Sequence, residues 1–304
     1  MDNKKTETGT TGNFLAALKP KIAEFRESLY LLARNKLSLT ALIIMALIVL
    51  VALLAPVIMP YPEDVADETH IEIKFMAPCA EHLMGTDELG RDVFSRVIYG
   101  TRVSISTALL AVAVSLVIGV TLGAIAGSIG GIVDDIIMRI TDVFLSFPPL
   151  LLAIALVALL GSNLLNAIAA IAISWWPWYT RLVRGQAISV KERRFVQAAE
   201  TIGTPRWKII FRHIIPNCIS PVIVQASMDI GGVILTIASL SFLGLGAQAP
   251  LPEWGLMISN GRNYFPDKWW CCIFPGLAIF LTVLCFNLLG DAIREILDPK
   301  TRKR

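Results

Sequence analysis

From Leu39 to Met59 the chain is almost wholly apolar. About 20 such residues in helical form cross the roughly 30 Å hydrocarbon core of a bilayer. Comparable runs recur at Ser104–Gly127, Ile132–Leu160, Leu164–Leu182, Cys218–Leu245 and Cys271–Leu289. Lipid offers no partner to an unpaired backbone amide, so only helices or closed barrels span it. Runs this long, with no alternation of apolar and polar residues, fit helices. Composition agrees: 55% of residues are hydrophobic and 17% charged, against about 25% charged in soluble domains. The expected fold is an all-α polytopic membrane protein with six transmembrane helices.

Charge sets the expected orientation. Lys and Arg accumulate on the cytoplasmic side of membrane proteins. The first 38 residues carry seven (Lys4, Lys5, Lys19, Lys21, Arg26, Arg34 and Lys36), Arg181 to Pro216 carries eight, and the chain after Ala292 carries five. The two other long connections carry three and two. Both termini and the Arg181–Pro216 loop are therefore expected inside. Residues 1–38 read as a cytoplasmic basic tail, 39–59 as the first transmembrane helix and 60–101 as an acidic extracytoplasmic loop. Residues 102–291 read as a five-helix core with a cytoplasmic loop at 185–217, and 292–304 as a cytoplasmic C-terminal tail. No short apolar core follows Met1, so a cleaved signal peptide is not expected.

Several local features carry expectations. In Gly85–Arg102, Asp87, Arg91 and Asp92 should hydrogen-bond within a structured outer loop; their spacing fits no calcium loop. Gly119, Gly123 and Gly127 form one small-residue stripe that admits a neighbouring helix. Asp135–Arg139 and Arg139–Asp142 are spaced to pair along one helix face, in a span that continues through Pro148-Pro149. Pro177 should kink the fourth span. Trp175, Trp176, Trp178 and Tyr179 read as an interfacial belt near the inner face, with a substrate-facing patch as the alternative. Asp229 is a lone carboxylate inside a span and hence a functional candidate; lining a pathway, being protonated and pairing with another chain are all open to it. Gln248–Ile258 could form a short helix on the outer surface, and Trp269-Trp270 should anchor the last span. The five cysteines have no metal-ligand spacing and should be free thiols.

The most informative stretch is QAAETIGTPRWKIIFRHIIP, Gln197 to Pro216. Helix formers run from Gln197 to Ile202, Gly203, Thr204 and Pro205 interrupt, a second short helix follows from Arg206, and Pro216 closes the segment. With almost no apolar core of its own, such an element needs a partner surface. Its Ala198-Ala199, Gly203 and Pro216 resemble the EAA loop of ABC importer permeases. Gln197 stands where the family usually has Glu, and His213 and Ile215 where it often has Ile and Leu. Gly85–Arg102 and FPGLAIFLTVLCFNLLGDAIREILDPK, Phe274 to Lys300, are similar to the C-type permease subunit of the dipeptide and oligopeptide (peptide/nickel) importers.

That resemblance implies a type I ABC importer permease fold. It implies a coupling loop formed by Gln197, Ala198, Ala199, Glu200, Gly203, Thr204, Pro205, Arg206 and Pro216, with Asp229, Trp175 and Trp178 as candidates for the pathway. The implied partners are a homologous B-type permease subunit, two cytoplasmic ABC ATPases, an extracytoplasmic substrate-binding protein and the lipid of the bacterial inner membrane. ATP and Mg would be bound by the ATPases; this chain has no phosphate-binding loop and should hold no cofactor or metal. No catalytic residue and no nucleic-acid site is expected. Alternative substrates within the class are nickel chelates, glutathione and opines. A proton-coupled secondary transporter using Asp229, or a non-transporting scaffold, are the readings outside it.

Overall fold

The computed structural model describes residues 36–297. Ten α-helices account for most of them: α1 (Lys36–Ile58), α2 (Val93–Ile129), α3 (Gly131–Leu145), α4 (Pro149–Leu160), α5 (Leu164–Lys191), α6 (Arg194–Thr201), α7 (Arg206–Ile209), α8 (Ile215–Phe242), α9 (Trp254–Gly261) and α10 (Trp270–Leu297). Among the described residues there is no strand, only an isolated bridge between Thr86 and Asp92. Four helical stretches are long and apolar enough to cross a membrane: Lys36–Ile58, Val93–Ile129, Arg206–Phe242 and Trp270–Ile296. The α3–α4 pair qualifies as a fifth if counted as one broken span. Together with the 28-residue α5, this is compatible with six membrane elements. Residues 1–35 and 298–304, which hold most of both expected tails, lie outside the described residues.

The glycine stripe of α2 faces α5. A Cβ at Gly119 would lie 2.5 Å from the Tyr179 Cβ, one at Gly123 2.5 Å from the Thr180 carbonyl, and one at Gly127 2.7 Å from the Arg184 carbonyl. The two helices thus pack backbone to backbone along two turns, as the sequence pattern implies. Tyr179 at this seam is fully buried, as are Ile171, Ile234, Ile237 and Leu240 elsewhere in the bundle core. α1 packs on α2 and α10 and turns Leu47, Leu50, Leu53 and Val57 outward, as a lipid-facing helix should.

At one end of the bundle the 60–92 segment is tied down by buried charges. Asp87 Oδ2 accepts from Arg91 Nε at 2.8 Å, and Asp92 Oδ2 accepts from the Ser95 amide at 2.7 Å, capping α2. Asp92 Oδ1 also meets His82 Nδ1 at 2.9 Å. Arg96 Nη1 donates to the Asp64 carbonyl at 2.7 Å and its Nη2 to the Pro250 carbonyl at 3.1 Å. Asp87, Arg91 and Asp92 therefore hold the loop through hydrogen bonds, as expected.

Elsewhere the structure departs from the sequence reading. α2 begins at Val93, because Asp92 is a good N-cap, so Arg96 to Thr101 belong to the helix. The third element does not continue through Pro148-Pro149; α3 and α4 meet at 90°, since Pro148 biases the backbone before it away from helix and the ring of Pro149 starts a new one. Arg139 makes no ion pair among the described residues. The pairs cross between helices instead: Arg184 grips Asp134 through Nε and Nη2 at 2.6 and 2.7 Å, and Arg181 Nη2 reaches Asp142 at 2.6 Å. The helix of Gln248–Ile258 begins at Trp254 and is not a surface element. Trp254, Gly255, Leu256 and Met257 are buried, the Trp254 Nε1 donates to the Val97 carbonyl at 3.1 Å, and Gly255 abuts the Ala238 backbone. Trp270 is likewise a buried clamp, its Nε1 donating to the Thr86 carbonyl at 3.0 Å, while Trp269 stays exposed. All five cysteines are free.

Candidate functional site

The Gln197–Pro216 stretch lies at the bundle end opposite the 60–92 segment. α6 stops in a left-handed glycine: Gly203 has φ +79°, its amide donates to the Glu200 carbonyl at 2.9 Å, and the Thr204 amide donates to the Ala199 carbonyl at 3.0 Å. This paired closure is the Schellman arrangement, in which glycine avoids the strain a Cβ would bring. Pro205 then caps α7, its carbonyl accepting from Lys208 at 2.9 Å.

Pro216 does not close the segment. α7 passes through a π-turn at Ile210–Ile214 into α8, with Pro216 in the first turn of α8. Proline lacks the amide of the helical ladder and its ring presses on the carbonyl four residues back. The wider π-turn just before it relieves that conflict and lets the helix run on. The result is one helical stretch from Arg206 to Phe242.

Nor does the element lack a core. Val196, Ala199, Ile209, Ile210 and Ile214 are buried with Val183, Ala187 and Val190 of α5 and Cys218 and Val222 of α8. Of the residues expected to act here, Gln197, Ala198, Glu200, Gly203, Pro205, Arg206 and Pro216 are exposed, Thr204 is half-buried and Ala199 is buried. The opposite face displays four large apolar side chains that charge patterning did not flag: Ile202 is 82% exposed, Trp207 66%, Phe211 56% and Phe195 42%. The signal for them was in the sequence: large apolar residues placed in a basic, non-spanning stretch, out of phase with Val196, Ala199, Ile209 and Ile210.

The pathway candidates are not gathered into one place. Asp229, on α8, accepts from Gln225 Nε2 at 2.9 Å through Oδ1. Its Oδ2 is buried without a hydrogen bond, as is the Tyr179 hydroxyl of α5 that neighbours it. Tyr179, expected only as part of an interfacial aromatic belt, thus belongs with Asp229. Trp175 packs half-buried against the core. Trp178 is 50% exposed and lines a cavity of about 260 Å³ at the α3–α4 break, with Phe144, Phe147 and Ser174. Among the described residues no group of three or more His, Cys, Asp or Glu could hold a metal ion.

Residues 119–303 match the family of binding-protein-dependent transport system inner membrane components. The chain belongs to that family. Residues 25–78 of the permease further match the N-terminal transmembrane domain of oligopeptide transport permease C. The permease is 48% identical to the probable D,D-dipeptide transport system permease protein DdpC of Escherichia coli K12, over 89% of this chain and 90% of that one. It is 46% identical to the dipeptide transport system permease protein DppC of Alkalihalophilus pseudofirmus, over 92% and 91%. It is 44% identical to the glutathione transport system permease protein GsiD of Pectobacterium atrosepticum, over 88% and 89%. The family match takes in the Gly203 turn, the exposed apolar ridge, Asp229 and both Trp residues. The permease is a multi-pass membrane subunit of a transport system, with the C-type architecture in its N-terminal part.

Proposed function

We propose that the permease moves di- and oligopeptides inward by alternating access, driven by ATP hydrolysed on partner subunits. In this reading both termini and the α6–α7 element are cytoplasmic. The permease pairs with a homologous B-type subunit, and an extracytoplasmic binding protein delivers the peptide at the 60–92 end. Each of two ATPases, carrying ATP and Mg, engages one permease subunit. The positive charge concentrated around Arg181–Pro216 supports this orientation.

One observation carries the coupling assignment: the ridge of Ile202, Trp207, Phe211 and Phe195 stands exposed on an element whose other face is sealed into the bundle. Large apolar side chains displayed on a charged segment mark an interaction surface. A tight Gly203 turn bearing such a ridge fits a concave site on a soluble partner. Gln197, Ala198, Glu200, Thr204, Pro205 and Arg206 would frame the contact, and Pro216 would set the start of the helix that carries the motion inward. A ligand shifts a conformational equilibrium only through different affinities for the two states, so the ridge must bind the ATPase differently before and after nucleotide closure.

The peptide assignment draws support from the relatives, two of which are named for dipeptide transport. In this reading Asp229, with Gln225 and Tyr179 beside it, would meet a peptide's ammonium, and Trp175 and Trp178 of α5 would add aromatic contacts.

Reconstitution of the complex in proteoliposomes tests both parts. Ile202→Asp combined with Trp207→Ala should lower ATP-driven dipeptide uptake more than tenfold and weaken co-purification of the ATPases, while the permease itself keeps its melting temperature. Wild-type uptake from that double variant would refute the coupling assignment. Uptake of glutathione in preference to dipeptides would overturn the substrate assignment and leave the coupling assignment standing.

A further inference from the structure

From Gln225 to Ser239 the face of α8 turned away from the bundle is polar. Gln225, Asp229, Gly232, Thr236 and Ser239 recur every three or four residues. At about 100° per residue they fall in an arc of about 80°, and they run for about 21 Å along the helix. Gly232 is exposed, and a Cβ there would meet nothing within 4 Å; the other four are half-buried. Met228 and Leu235 stand on the border of the stripe. The face behind it is closed and apolar, with Val233, Ile234, Ile237 and Leu240 buried. Two neighbours extend the polar surface. Asn287 of α10 is exposed, its Oδ1 3.1 Å from where a Gly231 Cβ would stand, and Tyr179 of α5 borders Asp229.

This is the reverse of a lipid-facing helix. α1, which turns Leu47, Leu50, Leu53 and Val57 outward, shows how this chain meets lipid. Ionisable side chains at membrane depth are costly in hydrocarbon and face a bundle interior or a water-filled space. The hydrogen bonds select between these. Thr236 Oγ1 donates to the Gly232 carbonyl at 2.9 Å and Ser239 Oγ to the Leu235 carbonyl at 2.7 Å, so both hydroxyls spend their proton on their own helix. Gln225 gives an amide hydrogen to Asp229 Oδ1 at 2.9 Å. What the stripe turns outward is therefore mainly acceptors: a carboxylate, an amide oxygen and two hydroxyl oxygens. A dry helix packed on it would have to bring a donor at every turn, whereas water supplies one at each position.

We infer that this stripe, with Asn287 beside it, is one wall of the water-filled conduit through which the permease passes its solute. Acceptors one helical turn apart, about 5.4 Å, give the N–H groups of a passing solute repeated partners and no single strong hold. Asp229 is the one formal charge on the wall, since α8 contains no Lys or Arg. Gly232 leaves the middle of the wall without a side chain, so the conduit is widest there. The inference rests on the permease being a transport subunit. It does not depend on which solute is carried or on where the ATPases dock.

The test is thiol accessibility in the permease reconstituted in proteoliposomes with the subunits it retains. Thr236→Cys, Ser239→Cys and, as the lipid-facing control, Leu47→Cys are made in a Cys79→Ser background, because Cys79 is the exposed native thiol. The probe is a positively charged methanethiosulfonate, and mass spectrometry of this chain's own peptides reads the labelling. Only the thiolate reacts; apolar surroundings raise the thiol pKa, and each unit leaves about tenfold less thiolate. Thr236→Cys and Ser239→Cys should therefore react at least about tenfold faster than Leu47→Cys in the nucleotide-free or the ATP-bound state. Reaction at both positions as slow as at Leu47→Cys, in both states, would overturn the inference and mean that lipid or a dry protein contact covers the stripe. A permease that carried glutathione, or that docked its ATPases elsewhere, would keep the fast labelling, so the proposed function and this wall fail separately.

Discussion

A single methyl group at Gly123 should separate the two longest-packed helices of the bundle. A Cβ built there lies 2.5 Å from the Thr180 carbonyl oxygen, 2.9 Å from the Val183 Cβ and 3.0 Å from the Arg184 nitrogen. Non-bonded heavy atoms prefer about 3.5–4.0 Å, and two of these neighbours are backbone that no rotamer change can move aside. α5 must therefore shift away from α2, and the contacts at Gly119 and Gly127 loosen with it. Overpacking of this kind costs about 1–3 kcal/mol. Set against it is the gain of about 0.5–1 kcal/mol when alanine replaces a glycine inside a helix. Gly232 in α8 supplies the reference, because a Cβ there meets nothing within 4 Å. The propensity gain is common to both sites, so the difference between Gly123→Ala and Gly232→Ala isolates the packing cost. The assay is the unfolding midpoint of the purified permease in a detergent-to-denaturant titration. Gly123→Ala should be less stable than Gly232→Ala by about 1–3 kcal/mol. Equal midpoints would show that the seam is not close-packed and refute the reasoning.

Other consequences are equally direct. Gly203 has positive φ but open space around it, so harm from substitution comes from backbone strain of about 1–2 kcal/mol for ordinary residues and less for asparagine; uptake should fall in the order Gly203, Gly203→Asn, Gly203→Val, and equal transport by all three would dismiss the turn as a determinant. The Arg184–Asp134 pair has short paired bonds but a partly exposed guanidinium, so a double-alanine cycle should return a coupling of about 1 kcal/mol, and a coupling of zero would leave the pair without a role in stability. Burial pushes the Asp64 carboxyl above its ordinary value of 3.8, against the pull of the Asp92 amide and His70. A raised folded value means that the stabilisation is complete below the ordinary value and is lost as pH rises through the raised one. Asp64→Asn should therefore flatten the acid-side pH dependence of amide-exchange protection around Asp92, and protection that grows with rising pH in the wild type would contradict the sign.

The spans, the glycine seam and the turn at Gly203 were legible because each depends on a one-dimensional pattern: a run of apolar residues, a spacing of four, or a residue whose backbone no other matches. What stayed hidden depends on which segments meet. Arg139 was spaced to pair along α3, yet the arginines that reach this helix are Arg181 and Arg184 of α5, brought there by the glycine seam. Trp254 and Trp270 read as interfacial because their sequence neighbours are polar, but both indoles find backbone carbonyls, of Val97 and Thr86, more than 150 residues away along the chain. The site divided in the same way. Gly203 and its neighbours could be read directly, whereas Tyr179 gained meaning only when α5 and α8 placed it beside Asp229.

Helix length joins the two halves of the site. Arg206 to Phe242 is a 37-residue helical stretch, about 55 Å at 1.5 Å per residue, against a hydrocarbon core of about 30 Å. Some 25 Å must project beyond the apolar layer, and the end carrying Trp207, Lys208 and Arg212 is the polar one. On the proposed coupling, a load applied at Trp207 reaches Asp229 through 22 residues of helix, about 33 Å, with the π-turn at Ile210–Ile214 as the compliant point. α2 and α5 cannot easily follow, because their backbones are locked at Gly119, Gly123 and Gly127. A load on the ridge should then shift α8 against the α2–α5 block. The polar groups that cross that boundary are Gln225 and Asp229 on one side and Tyr179 on the other. Stiffening the π-turn by deleting one residue between Ile210 and Ile214 would rotate α8 by about 100° and carry Asp229 away from Tyr179, so uptake should be lost even where the ridge still binds its ATPase. Retained transport in that deletion would mean that the motion travels by a route other than α8.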